Sequence, residues 1–101
     1  MVEVSDVPGE RRYVLTVDGQ RVGRLDYAVE GNVFIAEHVV VRPSHERQGL
    51  GSRLVRQVLD EVRASGRRLR PQCPFVVHFL AEHPEYADLD EDARLGRKGV
   101  S

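Results

Sequence analysis

The stretch RPSHERQGLGSRLVRQVLDEV, residues 42–62, is where the chain changes its period. From Leu50 onward, apolar residues recur four apart at Leu50, Leu54, Val58 and Val62, with Val55 and Leu59 beside them. Arg53, Arg56, Gln57, Asp60 and Glu61 take the other side, which is the pattern of one amphipathic helix ending near Gly66. Pro43 and the closely spaced Gly49 and Gly51 lead directly into that pattern.

Upstream the period is two. Tyr13, Leu15 and Val17 alternate before the turn signal Asp18-Gly19, and Leu25, Tyr27 and Val29 alternate before Glu30-Gly31-Asn32. NVFIAEHVVV then makes a third antiparallel strand, in which Val39, Val40 and Val41 are consecutive and require burial on both faces or a bulge. Downstream, RRLRPQC reads as a short strand with Leu69, Pro71 and Cys73 on one side, and Pro71 suits a sheet edge. A second helix opens at Pro74 and stops before Pro84. The expected order is β-β-β-α-β-α, an α+β layer packing. The first few residues and the tail DEDARLGRKGVS are expected to stay unpacked.

The chain has 101 residues, of which 31% are charged, and a formal net charge of -1. That length suits one modest core, and the charge balance disfavours a nucleic-acid partner. No run reaches membrane-spanning length, and a single cysteine suits a reducing, cytoplasmic setting. Asp60, Glu61, Glu82, Glu85, Asp88, Asp90, Glu91 and Asp92 make the C-terminal half acidic, which reads first as a solvated face. His78 and His83, five apart on a helix, are poorly spaced for a shared metal, and none is expected.

A helix start presents N–H groups without internal partners and the positive end of the helix dipole. Gly49 and Gly51 leave those amides bare, so a diphosphate can approach Arg47, Gln48, Gly49, Leu50, Gly51 and Ser52. Two glycines can equally serve a tight loop and close packing of the helix on the sheet. Leu54 stands where a dinucleotide motif needs its third glycine, and no Gly-Lys-Ser/Thr occurs. Cys73, at a strand end just before Pro74, fits either a thiolate favoured by a helix dipole or a small buried hydrophobe.

VVVRPSHERQGLGSRLVRQVLDEV resembles the acyl-CoA-binding segment of the GNAT N-acetyltransferase superfamily, whose pattern is Arg/Gln-x-x-Gly-x-Gly/Ala at a strand-to-helix junction. EHVVVRP, ERQGLGSRLV and PQCPFVVHFLAEHPEY together resemble its minimal single-domain group, over residues 37–86. One departure is Glu46, which replaces the Arg or Gln of the pattern, with Arg47 next to it.

The resemblance implies one small domain over residues 1–101, built as a three-stranded antiparallel sheet followed by α-β-α, and the polar composition of residues 90–101 makes them its expected flexible tail. It implies acetyl-CoA as cosubstrate and an amine acceptor, either a protein lysine or a small molecule; apart from the resemblance, a monomer or weak dimer is expected. Val39, Val40 and Val41 correspond to the bulged strand that faces the pantetheine arm. Cys73 is implied to lie near the CoA sulfur, and His38 is a candidate base for the amine or for Cys73. A non-catalytic CoA-binding or protein-interaction module of the same fold is the alternative.

Overall fold

The computed structural model describes residues 1–94, with backbone alone for Glu46, Arg47, Ala93 and Arg94. Its frame is one five-stranded sheet in sequential order. The strands are β1 (Val2–Val7), β2 (Arg12–Val17), β3 (Gln20–Glu30), β4 (Val33–Val41) and β5 (Arg68–Pro71). The α-helices are α1 (Leu50–Ser65), α2 (Pro74–Glu82) and the short α3 (Glu91–Arg94). The α+β architecture is as expected, but the sheet has five strands instead of a three-stranded unit, and there is a third helix.

Both differences have local causes. The first residues, expected to fray, form β1 and pair antiparallel with β2 from Val2↔Val17 to Val7↔Arg12. Val2 and Val4 rest against the core, so a two-residue period was present in VEVSDV but short. At the other end, Asp90 is buried and bridges to Leu69, and α3 follows at once. The rest of the expected tail, 95–101, lies outside the described residues.

Both hairpin signals are used. Val17 pairs with Gln20 around Asp18 (φ 50°) and Gly19 (φ 85°), the left-handed pair that matches strand twist. β5 joins β4 in parallel, Val33↔Arg68 to Ala36↔Pro71, and Pro71 does lie on the edge strand. The α1 crossover makes this parallel step possible.

Helices α1 and α2 share one face of the sheet. Leu54, Val55, Val58 and Leu59 of α1 are fully buried against Leu15, Leu25 and Leu69, and Val76 and Phe79 of α2 complete the same cluster. Each such side chain contributes about 1.5–3 kcal/mol by leaving water. The 3-10 segment Pro84–Leu89 closes the layer: the Tyr86 hydroxyl donates to Asp60 at 2.7 Å, and Arg56 stacks over its ring at 5.6 Å. Arg63, in the last turn of α1, donates to both carboxylate oxygens of Asp88 at 3.0 Å and to the Glu85 carbonyl at 2.8 Å. Among the described residues, no helix is long and apolar enough to cross a membrane.

Leu54→Ala should destabilise the fold by about 2–5 kcal/mol, read as a shifted midpoint in urea. The Arg63 guanidinium holds the Asp88 carboxyl below the usual carboxylate range. Its stabilising effect is therefore present above the unfolded-state pKa and is lost as pH falls through the depressed value. Asp88→Asn should lower stability at neutral pH by less than about 1 kcal/mol, because this pair is largely exposed. Wild-type and variant melting curves should converge in acid.

Candidate active site

The junction read from residues 42–62 is built in two steps. After Arg42 the chain turns through the 3-10 segment Pro43–Gln48, and Gly49 (φ 73°) connects it to α1. That left-handed backbone is strained for residues with a side chain, and an added Cβ would meet only open space. The first helical bond runs from Arg53 N–H to the Gly49 carbonyl at 3.1 Å. Leu50, Gly51 and Ser52 N–H consequently have no partner within α1 and point out of its end. Among the described residues no side chain caps this end, since its N-cap is Gly49, and the first turn carries no acidic residue. The expected side-chain roles of Glu46 and Arg47 lie outside the described residues. Gln48 is exposed and Leu50 is buried in the core.

Strand β4 supplies the neighbouring wall. Asp26 pairs with His38 but Tyr27 pairs with Ala36, so Glu37 is an extra residue on β4. The bulge thus falls two residues before the valines, where 39–41 pair regularly with β3. It shifts the parity of everything after it. Phe34 and Ala36 face the helices before it, and Val39 does so after it. His38 and Val40 are turned to the other face, and Val40 is 43% exposed there.

At the same point β5 leaves. Beyond Ala36↔Pro71, the N–H groups of Gln72 and Cys73 both donate to the Ala36 carbonyl, at 3.0 and 3.2 Å, and Pro74 starts α2. Among the described residues, β4 from His38 to Val41 has a strand partner only in β3. The result is a cleft of about 330 Å³ lined by Val39, Val41, Gly49, Gly51, Ser52 and Phe75. Five of these were legible in the sequence as candidate cofactor contacts. Phe75 was not, although it follows Cys73-Pro74 directly.

Phe75 explains the second glycine. A Cβ on Gly51 would stand 2.8 Å from the Phe75 ring tip, so the ring lies against the flank of the first turn. The ring therefore flanks the first turn of α1, and it lines the cleft together with Gly49, Gly51 and Ser52.

Cys73 precedes α2 as its N-cap and is only 6% exposed, packed in the core cluster. It sits beside Ala36, at the closed end of the strand split, and does not line the cleft. His38 is exposed on the opposite face of the sheet, across from Asp26. The two expected reacting groups are therefore on different sides of β4, and His38 is not placed to take the thiol proton directly. The remaining histidines make structural contacts. His45 meets Ser44 at 2.8 Å, His78 approaches Glu82 at 3.3 Å, and His83 stacks on Phe79 with ring centres 3.9 Å apart. Much of the acidic half is also engaged, as Glu61 with Tyr13, Glu85 with Arg56, and Glu91 with Arg70.

Residues 12–89 match the profile of a family described as GCN5-related N-acetyl-transferase. The chain belongs to that family. Among solved structures, this GCN5-related chain is similar to a GCN5-like candidate N-acetyltransferase from Staphylococcus aureus. The TM-score is 0.69 at 21% identity, over 87% of this chain and 86% of that one, a likeness of fold. It is also similar to the ribosomal-protein-S18-alanine N-acetyltransferase of Escherichia coli, with TM-score 0.57 and 29% identity over 62% of this chain and 43% of the enzyme. A GNAT-family candidate acetyltransferase from Desulfovibrio desulfuricans gives TM-score 0.54 and 25% identity, over 59% of this chain and 41% of that one. The chain thus spans less than half the length of the last two proteins. No curated protein sequence shows significant similarity to it.

The two glycines of this acetyltransferase should fail differently. Gly49→Ala should cost about 1–2 kcal/mol through backbone conformation alone. Gly51→Ala should cost less than that by displacing the Phe75 ring, visible as shifted Phe75 ring resonances. In a double-mutant cycle Gly51→Ala should couple to Phe75→Ala, and Gly49→Ala should not.

Proposed function

We propose that the chain is an acetyl-CoA-dependent N-acetyltransferase acting on an amine, either a protein lysine or a small molecule, in the cytoplasm. The observation that carries this reading is the parting of β4 from β5 at an extra residue, opening a cleft that ends on the bare start of α1. The geometry fits an elongated ligand that is anionic at one end and amide-bearing in the middle. At the α1 end, Leu50, Gly51 and Ser52 N–H with the helix dipole suit a diphosphate. Along β4, backbone groups without a strand on the β5 side suit the amides of a pantetheine arm, which replaces the missing strand. Val39 and Val41 give that arm an apolar wall, and Phe75 bounds it from α2.

Acetyl transfer forms a bond from the amine nitrogen to the thioester carbon and breaks the carbon–sulfur bond. The carbonyl oxygen gains charge, and a main-chain N–H at the widened part of β4 is the donor this chain offers. The amine must lose a proton and the departing thiolate must gain one. Cys73, next to the split, is the candidate for the thiolate side, and His38 reaches solvent on the face from which an acceptor could approach. The narrower likeness through Cys73, Pro74 and Phe75 supports this placement.

A second reading is a CoA-binding module without turnover, favoured by the burial of Cys73 and by its separation from His38. Titration with acetyl-CoA should move the amide resonances of Leu50, Gly51 and Ser52. Absence of any shift at millimolar ligand would exclude both readings. Binding without hydrolysis or transfer across a broad amine panel would favour the module. If Cys73 accepts the acetyl group, intact mass should show one adduct that Cys73→Ala abolishes. Full turnover by that variant would show that no acyl-cysteine is required.

A further inference from the structure

The face of the sheet turned away from α1 and α2 carries a second cavity, of about 220 Å³, which no helix residue lines. Its chemistry follows from two cross-strand rows. Val14, Arg24 and Val40 are register neighbours on β2, β3 and β4, and so are Arg12, Asp26 and His38 one step along. Arg21 and Arg42 close the cavity at the start of β3 and just past the end of β4.

Its charge does not balance. Asp26 is shared between Arg12 and Arg24, at 3.1 Å from each, and Glu10 lies 3.1 Å from Arg21 and 3.8 Å from Arg12. Arg42 has no carboxylate partner among the described residues, so four guanidinium groups meet two carboxylates around one concavity. Arg12 Nε and Asp26 Oδ1 are shut off from water and close enough for Coulomb attraction, yet they miss hydrogen-bond geometry. Asp26 takes one hydrogen bond from Arg24 Nε and Glu10 one from Arg21, both at 3.1 Å, so the carboxylates position the guanidinium groups while each fork keeps further N–H donors. The chain as a whole is at -1, so this excess is local, and a concave surface concentrates its field. Val40, 43% exposed at the rim, adds an apolar contact.

We infer that this cavity binds a small dianionic oxyanion with an apolar body, either a phosphomonoester or a dicarboxylate. Planar guanidinium forks suit both ligands bidentately, and two negative charges match the local excess. The site is distinct from the cleft at α1, shares no lining residue with it, and does not depend on acetyl transfer.

The test is NMR titration of the labelled protein with phenyl phosphate and, separately, with succinate, each against sodium chloride at matched ionic strength. Saturable shifts are expected at the amides of Arg24, Val40 and Arg42, and they should persist when the α1 cleft is already filled with coenzyme A. Whichever compound saturates at lower concentration identifies the headgroup. The double variant Arg24→Gln/Arg42→Gln should weaken binding by at least about tenfold. If that variant loses its dispersed spectrum, Arg42→Gln alone makes the same test, because its guanidinium holds no carboxylate. Shifts that chloride reproduces, that fail to saturate, or that survive a folded Arg42→Gln variant unchanged would overturn the inference.

Discussion

The Ala36 carbonyl is the hinge of the whole arrangement. It takes two N–H groups, those of Gln72 and Cys73, and so ends the parallel ladder where β4 gains Glu37. A strand that kept its partner would have no room for a ligand beside it, and a strand without the extra residue would point His38 and Val40 at the helices. One carbonyl and one inserted residue together convert a closed sheet into a cleft with an apolar wall. Buried main-chain polar groups left unpaired are costly, so such a gap persists only where water or a ligand amide can reach it.

The helical layer holds that gap open. Helix α1 must start where the cleft ends, and its buried row from Leu54 to Val62 fixes its axis against β3 and β4. Helix α2 must start where β5 stops, and Pro74 fixes that point. The contact of Phe75 with Gly51 links the two helix starts, so the cleft is bounded by elements that the core holds rigidly. The 3-10 segment Pro84–Leu89, anchored by Tyr86 and Asp88, fastens the far side of the layer.

Sequence reading reached the features with strong local causes. The four-residue recurrence from Leu50 to Val62 identified α1, Asp18-Gly19 its hairpin, and Pro71 the sheet edge. It missed β1, because VEVSDV is short, charged and stabilised chiefly by pairing with Arg12–Val17, which only the fold supplies. It also missed α3, where Asp90 is buried by tertiary contacts that DEDAR does not advertise. Within the site, Gly49, Gly51, Ser52, Val39 and Val41 were legible because main-chain access leaves a mark in small residues and in alternation. The bulge was placed at the valines because three consecutive apolar residues look irregular, whereas the irregular residue is the polar Glu37. The role of Phe75 was hidden because a ring folding back on a glycine of another helix leaves no local pattern.

Helices α1 and α2 cover one side of the sheet, yet Val14 on the other side is 3% exposed and Ile35 4%. At Val14 the stems of Arg12 and Arg24 stand alongside and shelter it. Those arginines serve as thatch as well as charge. A change that keeps the stem and drops the charge leaves this roof standing, whereas truncation to alanine lets rain in on the valine. Around Val14 this face is thus a thin layer of methylene groups, and its tolerance to mutation there depends on side-chain length more than on sign.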